Sequence, residues 1–237
     1  MSALQASCLE FMDYLTQWKQ ALPEFPLHTL IAEAGGPERV GIFCVDLING
    51  FCHSGPLASE RVRGIIAPIV DLFSRAHAAG VRHFVLTHDA HPPDAAEFEA
   101  YPPHCLRDSD ESEIVPELLA LPFASTFVRF AKNSLHSGLG TGLDAFLDAH
   151  PEITHRIVVG DCTDLCTYQL AMHLKLRAHA ANTSQPVILP ASCVDTYDLP
   201  VQTAVASGAK AHPAELMHLL FLYHMGCNGV RVVQRLT

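Results

Sequence analysis

Apolar residues follow two rhythms along this chain. A continuous apolar run of strand length falls at 40–45, and further strand-length segments rich in apolar residues fall at 81–87, 125–131, 156–160, 186–190 and 229–233. Runs of this kind predict buried parallel strands. Three-and-four spacing predicts helices at 1–22, 59–79, 141–149, 167–181 and 212–225. In the first helix Leu4, Cys8, Phe11, Met12, Leu15 and Trp18 share a face, and Pro23 and Pro26 end it. In the second, Val62, Ile65, Ile69, Phe73 and Ala76 recur, Gly80 is the stop, and Pro68 predicts a kink. Strands alternating with helices predict an α/β fold, a three-layer α/β/α domain around a six-stranded, mostly parallel sheet. The expected organisation is a helical extension over 1–37 packed on one domain over 38–237. The extension's apolar face serves either that packing or a contact between copies.

Composition narrows the function. A chain of 237 residues, 49% hydrophobic, can bury a substantial core. Its formal net charge of −10 gives no electrostatic footprint for nucleic acid. Lys/Arg clusters for an anionic membrane are missing, and so is any apolar stretch of about 18 residues. The eight cysteines make neither a C-x-x-C pair nor a small disulfide framework. That reads as reduced thiols and a cytoplasmic location, with no signal peptide visible. The expected partner is a small molecule.

The candidate chemistry lies where predicted strands end, the usual place for sites in open parallel sheets. Asp46, Asp89, Lys132 and Cys166 each stand at such an end. The stretch V-V-G-D-C-T-D-L-C-T-Y, 158–168, reads as strand, tight turn and helix, with Cys166 in the first helical turn. Free N–H groups and a positive dipole end there favour thiolate, although a buried cysteine can also be one more small hydrophobe. Asp46 is a proton carrier or a turn cap. A thiol nucleophile, a carboxylate and the Lys132 ammonium suffice to hydrolyse an amide through a thioester. Backbone N–H groups around 162–166 supply an oxyanion hole. The long polar loop over about 88–124 holds Asp89, His91 and His104, with Glu97 and Glu99 between them. Two imidazoles and a carboxylate suit Zn, Fe or Mn with positions left open, and a His-rich loop can also hold such a set by chance.

Three segments, C-V-D-L-I-N-G-F at Asp46, R-F-A-K-N-S at Lys132 and G-D-C-T-D-L-C at Cys166, resemble the Asp–Lys–Cys triad of the isochorismatase-like cysteine hydrolase superfamily. Within it the chain is most similar to nicotinamidases, over about residues 38–235. D-A-H-P and Y-P-P-H-C resemble their metal motif at Asp89, His91 and His104. The resemblance implies a cis peptide at Asp161–Cys162 and oxyanion N–H groups from Cys162 and Cys166. It implies Glu97 as a further ligand, with Glu99 a substitute. It implies a divalent transition metal, Zn first with Fe or Mn as alternatives, holding the ring nitrogen of nicotinamide. The implied reaction yields nicotinate and ammonia through an acyl group on Cys166. It also implies a homo-oligomer, since superfamily members are often oligomers. The chain departs from the nicotinamidase pattern at Ile48, Ala90 and Tyr101, where Gln, Trp and Trp are usual, and between Asn133 and Gly138. The alternatives are a related cysteine hydrolase acting on another small amide or on isochorismate, and a non-catalytic module keeping the fold. The intact Asp89/His91/His104 set argues against isochorismate, and the complete triad argues against the module.

Overall fold

A parallel strand covered on both faces needs an unbroken apolar run, and these runs set the architecture. The computed structural model describes residues 2–237. The first part of the chain forms α1 (Ala3–Gln20), β1 (Glu24–Phe25), α2 (Leu27–Ala34), β2 (Val40–Val45), α3 (Asn49–Cys52), α4 (Glu60–Gly64), α5 (Ile66–Ala78) and β3 (His83–Asp89). Then come α6 (Pro116–Leu119), β4 (Val128–Lys132), α7 (Leu143–Ala149), β5 (His155–Asp161) and α8 (Cys166–Ala180). The chain finishes with β6 (Val187–Pro190), β7 (Val194–Asp195), α9 (Val201–Ser207), α10 (Ala214–Cys227), β8 (Arg231–Val233) and β9 (Arg235–Leu236).

The main sheet runs β4-β3-β2-β5-β6-β8, with β7 alongside β5. Every pairing in it is parallel. Side chains alternate across the central strand β2. Val40, Ile42 and Cys44 enter a core with α2 and α5, while Phe43 and Val45 enter a second core with α7, α8 and α10. The three predicted layers are present, and the sheet has seven strands rather than six because β7 pairs at Gly160↔Val194 and Asp161↔Asp195.

Three local differences have physical causes. The strand expected over 125–131 runs instead from Val128 to Lys132. A 3₁₀ turn at Ala124–Thr126 precedes it, and Phe123 and Phe127 pack against Phe84 instead of joining the sheet. The expected helix over 59–79 breaks between α4 and α5. Pro68 has no N–H to offer the Gly64 carbonyl, so a new helix starts with Pro68 in its first turn. The unpredicted α2 buries Leu27, Leu30 and Ala34 and ends at Gly35 in the left-handed region, φ 85°.

The amino-terminal segment is held at two places. In α1 only Leu15 is buried. Phe11, Tyr14 and Trp18 surround Tyr223 of α10 edge-on, with ring centroids 5.7, 5.8 and 5.3 Å away. Beyond α1, β1 pairs with β9 in a separate two-stranded parallel ribbon. Hydrogen bonds from Gln234 N to Pro23 O (2.8 Å) and from Leu27 N to Thr237 O (2.7 Å) extend it. Among the described residues, no helix is long and apolar enough to cross a membrane.

Candidate active site

The carboxyl ends of β2, β3, β4 and β5 deliver four charged side chains to one edge: Asp46, Asp89, Lys132 and Asp161 are each 1–2% exposed. Asp46 follows β2 directly in the left-handed region, φ 54°. An aspartate tolerates that conformation better than most residues. The bend lets Asp46 Oδ1 accept the Asp89 amide at 2.9 Å. Gly160 is also required: at φ 115° a side chain there would run into the Val45 backbone of the neighbouring strand.

Lys132 lies at the centre. Its Nζ is 2.8 Å from Asp46 Oδ2, 2.6 Å from Asp89 Oδ1 and 3.4 Å from Cys166 Sγ. Two carboxylates offset the cost of burying one ammonium and hold its pKa well above the usual value. Burial and the neighbouring Asp89 push the Asp46 carboxyl up to about 7, against the pull of Lys132. Burial pushes the Cys166 thiol up, Lys132 pulls it down, and Asp46 and Asp89 add to the rise. The net direction is up: burial outweighs the lowering expected from the helix terminus and Lys132. A buried thiol beside a carboxylate needs that carboxylate as its base. Asp46, Asp89 and Cys166 bring their reactive atoms within 4.8 Å of one another.

The turn from β5 into α8 contains a cis Asp161–Cys162 peptide. The Cys162 carbonyl accepts from Leu165 N (3.0 Å) and Thr167 N (3.2 Å), while the amides of Cys162 and Cys166 take no part in the turn's backbone hydrogen bonds. N–H groups left without a backbone partner can hold an oxyanion.

Beside the triad, Asp89, His91, Glu97 and His104 bring one ligand atom each within 4.8 Å of one another. His91 Nε2 lies 3.4 Å from Asp89 Oδ1 and 4.0 Å from Glu97 Oε1, and His104 Nε2 lies 3.9 Å from Asp89 Oδ2. Both imidazoles commit Nδ1 elsewhere, His91 to Asn133 Oδ1 and His104 to the Pro102 carbonyl, each at 2.8 Å. Such outer bonds turn the Nε2 lone pairs inward. His91 Nε2 is buried without a hydrogen-bond partner. An orphaned imidazole nitrogen among two carboxylates and a second imidazole fits a borderline divalent cation. Glu99 is outside this set and lines the cavity instead.

Asp46 and Cys166 line one cavity of about 450 Å³ together with Asp89, Glu97 and His104, while Lys132 and His91 are not among its lining residues. Tyr101, Tyr197, Leu135 and Leu165 give it apolar walls, and the nearby Ala90 is not among its lining residues. The sequence reading did not find Asn133, Pro102 or Tyr197. Asn133 had a signal, since it follows Lys132 directly at the strand end. A backbone carbonyl such as that of Pro102 leaves none.

Residues 40–218 match the isochorismatase domain model, so the chain belongs to the isochorismatase family. It is 33% identical over 216 residues to Nicotinamidase 1 of Arabidopsis thaliana, covering 84% of this chain and 86% of that one. It is 29% identical over 143 residues to the nicotinamidase/pyrazinamidase of Mycobacterium tuberculosis, covering 55% of this chain and 75% of that one. Among solved structures, a cysteine hydrolase from Pseudomonas syringae superposes with a TM-score of 0.70 at 22% identity, over 90% of this chain and 92% of that one. A nicotinamidase from Bacillus subtilis superposes at 0.63 and 23% identity, over 82% and 99%.

Proposed function

We propose that this chain hydrolyses nicotinamide to nicotinate and ammonia as a cysteine amidohydrolase. One observation carries the reading: Asp46 and Cys166, joined by Lys132, line the same cavity as Asp89, Glu97 and His104 of the Asp89/His91/Glu97/His104 cluster. The Arabidopsis relative, similar over most of both chains, supports it.

In this reaction Asp46 takes the Cys166 proton as Sγ attacks the carboxamide carbon. The N–H groups of Cys162 and Cys166 hold the tetrahedral oxyanion. Asp46 returns the proton to the amide nitrogen, ammonia leaves, and the nicotinoyl group remains as a thioester on Cys166. Water then attacks that carbonyl; Asp46 takes its proton and passes it to Sγ as the C–S bond breaks, so that nicotinic acid is released and Cys166 leaves as the thiol. Lys132 keeps the site's charge balanced throughout. Asp89, His91, Glu97 and His104 would hold a divalent transition metal, with Zn, Fe and Mn all suited to these donors, and it supplies a Lewis-acid anchor for the ring nitrogen. Asp89 belongs to both groups, since Oδ1 meets Lys132 and Oδ2 faces His104.

The test is ammonia release from nicotinamide before and after chelation and metal restoration. Release that stops with chelator and returns with metal supports the whole reading. No release from folded, metal-loaded protein rejects nicotinamide. A second reading, another small carboxamide, is favoured by Ala90, which leaves the walls to Tyr101 and Tyr197. Free cysteines support a cytoplasmic site of action. Exposed Leu4, Leu9, Phe11 and Tyr14 support a homo-oligomer, to be checked by sedimentation.

A further inference from the structure

One buried ion pair braces the oxyanion turn from behind, and the reaction above does not use it. Asp164 lies in the turn and is 5% exposed. Its Oδ1 accepts from Thr196 Oγ1 at 2.6 Å, and its Oδ2 accepts from His212 Nε2 at 2.7 Å. The other ring nitrogen, His212 Nδ1, donates to the Tyr197 carbonyl at 2.8 Å. A carbonyl only accepts and a carboxylate only accepts, so both ring nitrogens carry protons. The imidazolium stacks on the Tyr197 ring, with centroids 3.9 Å apart and planes within 11°. Tyr197 in turn lines the cavity.

His212 also closes the neck of a longer excursion. Leu199 N donates to His212 O and His212 N to Leu199 O, both at 2.8 Å. Between them the chain carries α9 and lends Gly208, Ala209 and Lys210 to the cavity wall. The Asp164–His212 contact therefore joins two parts of the cavity lining: the turn that leads to Cys166 and the aromatic wall at Tyr197. A buried ion pair is a poor source of net stability, because desolvation offsets its attraction. Its value here is geometric.

We propose that the Asp164–His212 pair is a positioning device, coupling the Tyr197 wall to the oxyanion turn so that a planar aromatic carboxamide is set against Cys166. The substrate class rests on the amidohydrolase reading; the coupling itself rests on contacts alone.

The experiment uses full-length, metal-loaded enzyme. Iodoacetamide alkylation of Cys166 is followed by peptide mass spectrometry, with and without benzamide as a ring-bearing blocker. Each variant's protection is measured against its own unprotected rate. Tyr197→Ala and His212→Ala are expected to weaken protection about fivefold, the scale of one aromatic contact. Tyr197→Phe, which keeps the ring, retains protection. Should His212→Ala fail to fold, His212→Gln keeps a donor for Asp164 but loses the stacked ring, and the same loss is expected. A merely structural role would lower the melting temperature and leave the protection ratio at the wild-type value. That outcome in a folded His212 variant overturns the proposal, as does wild-type enzyme that benzamide does not protect. Protection that follows this pattern, in an enzyme that releases no ammonia from nicotinamide, removes the nicotinamide reading and sustains the coupling.

Discussion

The β5–α8 turn and helix α1 are held in opposite ways. In the turn, Thr163, Asp164 and Cys166 are all buried, and Thr163 is fixed by Asp195 O at 2.9 Å and His218 Nδ1 at 2.9 Å. In α1 a single residue is buried, and Leu4 and Leu9 are 73% and 56% exposed. The turn is specified by polar bonds that each have one correct partner. The helix is held by an aromatic cluster around Tyr223, which tolerates exchange of its outer residues. Precision is concentrated where a reacting atom must sit within tenths of an ångström.

The largest effect that sharpens this contrast is at the nucleophile. Cys166→Ala should lower turnover by at least about 10⁴-fold while circular dichroism and metal content stay as in the wild type. Retained turnover removes Cys166 from the mechanism. Next is Lys132→Met, which leaves Asp46 and Asp89 buried without their cation. Urea unfolding should show a loss of about 3–5 kcal/mol, and a neutral result would mean the two carboxylates are protonated in the folded chain. Asn133→Ala releases His91 Nδ1, and metal-competition titration should find affinity about 10- to 100-fold weaker.

His218 probes both regions at once. It bonds Thr163 of the turn and is faced by Lys19 of α1, Arg61, Asp195 and Glu215. Burial first, then Lys19, lowers its pKa from 6.5 to about 4. Between those values the unfolded chain binds the proton and the folded chain does not, so stability falls as pH drops through the window. His218→Gln should flatten that part of the melting-temperature profile, and a slope like the wild type's would place the acid sensitivity elsewhere. The smallest effect belongs to the outer face of α1: Leu4→Ser and Leu9→Ser should each change stability by no more than about 0.5 kcal/mol. That limit refers to the isolated protomer at high dilution; at higher concentration the proposed homo-oligomer predicts a larger, concentration-dependent loss, and its absence would remove this face from the contact.

What could be read from the sequence follows the same division. Strands at 40–45 and 156–160 were legible because a run buried on both faces has no polar break. Asp46 and Lys132 stood out because each directly follows a predicted strand, and Cys166 because it opens the helix after the turn that follows 156–160. The three-residue displacement of β4 was not, because Phe123 and Phe127 are as apolar as strand residues and only their packing on Phe84 tells them apart. The Asp164–His212 contact spans 48 residues of chain. No local rhythm marks it, and His212 looks like any of the other fourteen histidines, of 15 in all.

The ribbon of β1 and β9 has a consequence for how the molecule is made. Glu24 and Phe25 find their partners only in Arg235 and Leu236, so on the ribosome this first strand waits on the order of 200 residues for its match, against the usual order in which early segments settle first. The hydrolase sheet can close before the amino-terminal strap docks. A nascent chain stalled short of Arg235 would therefore lack the partner of its first strand, and that strand would stay open to proteases.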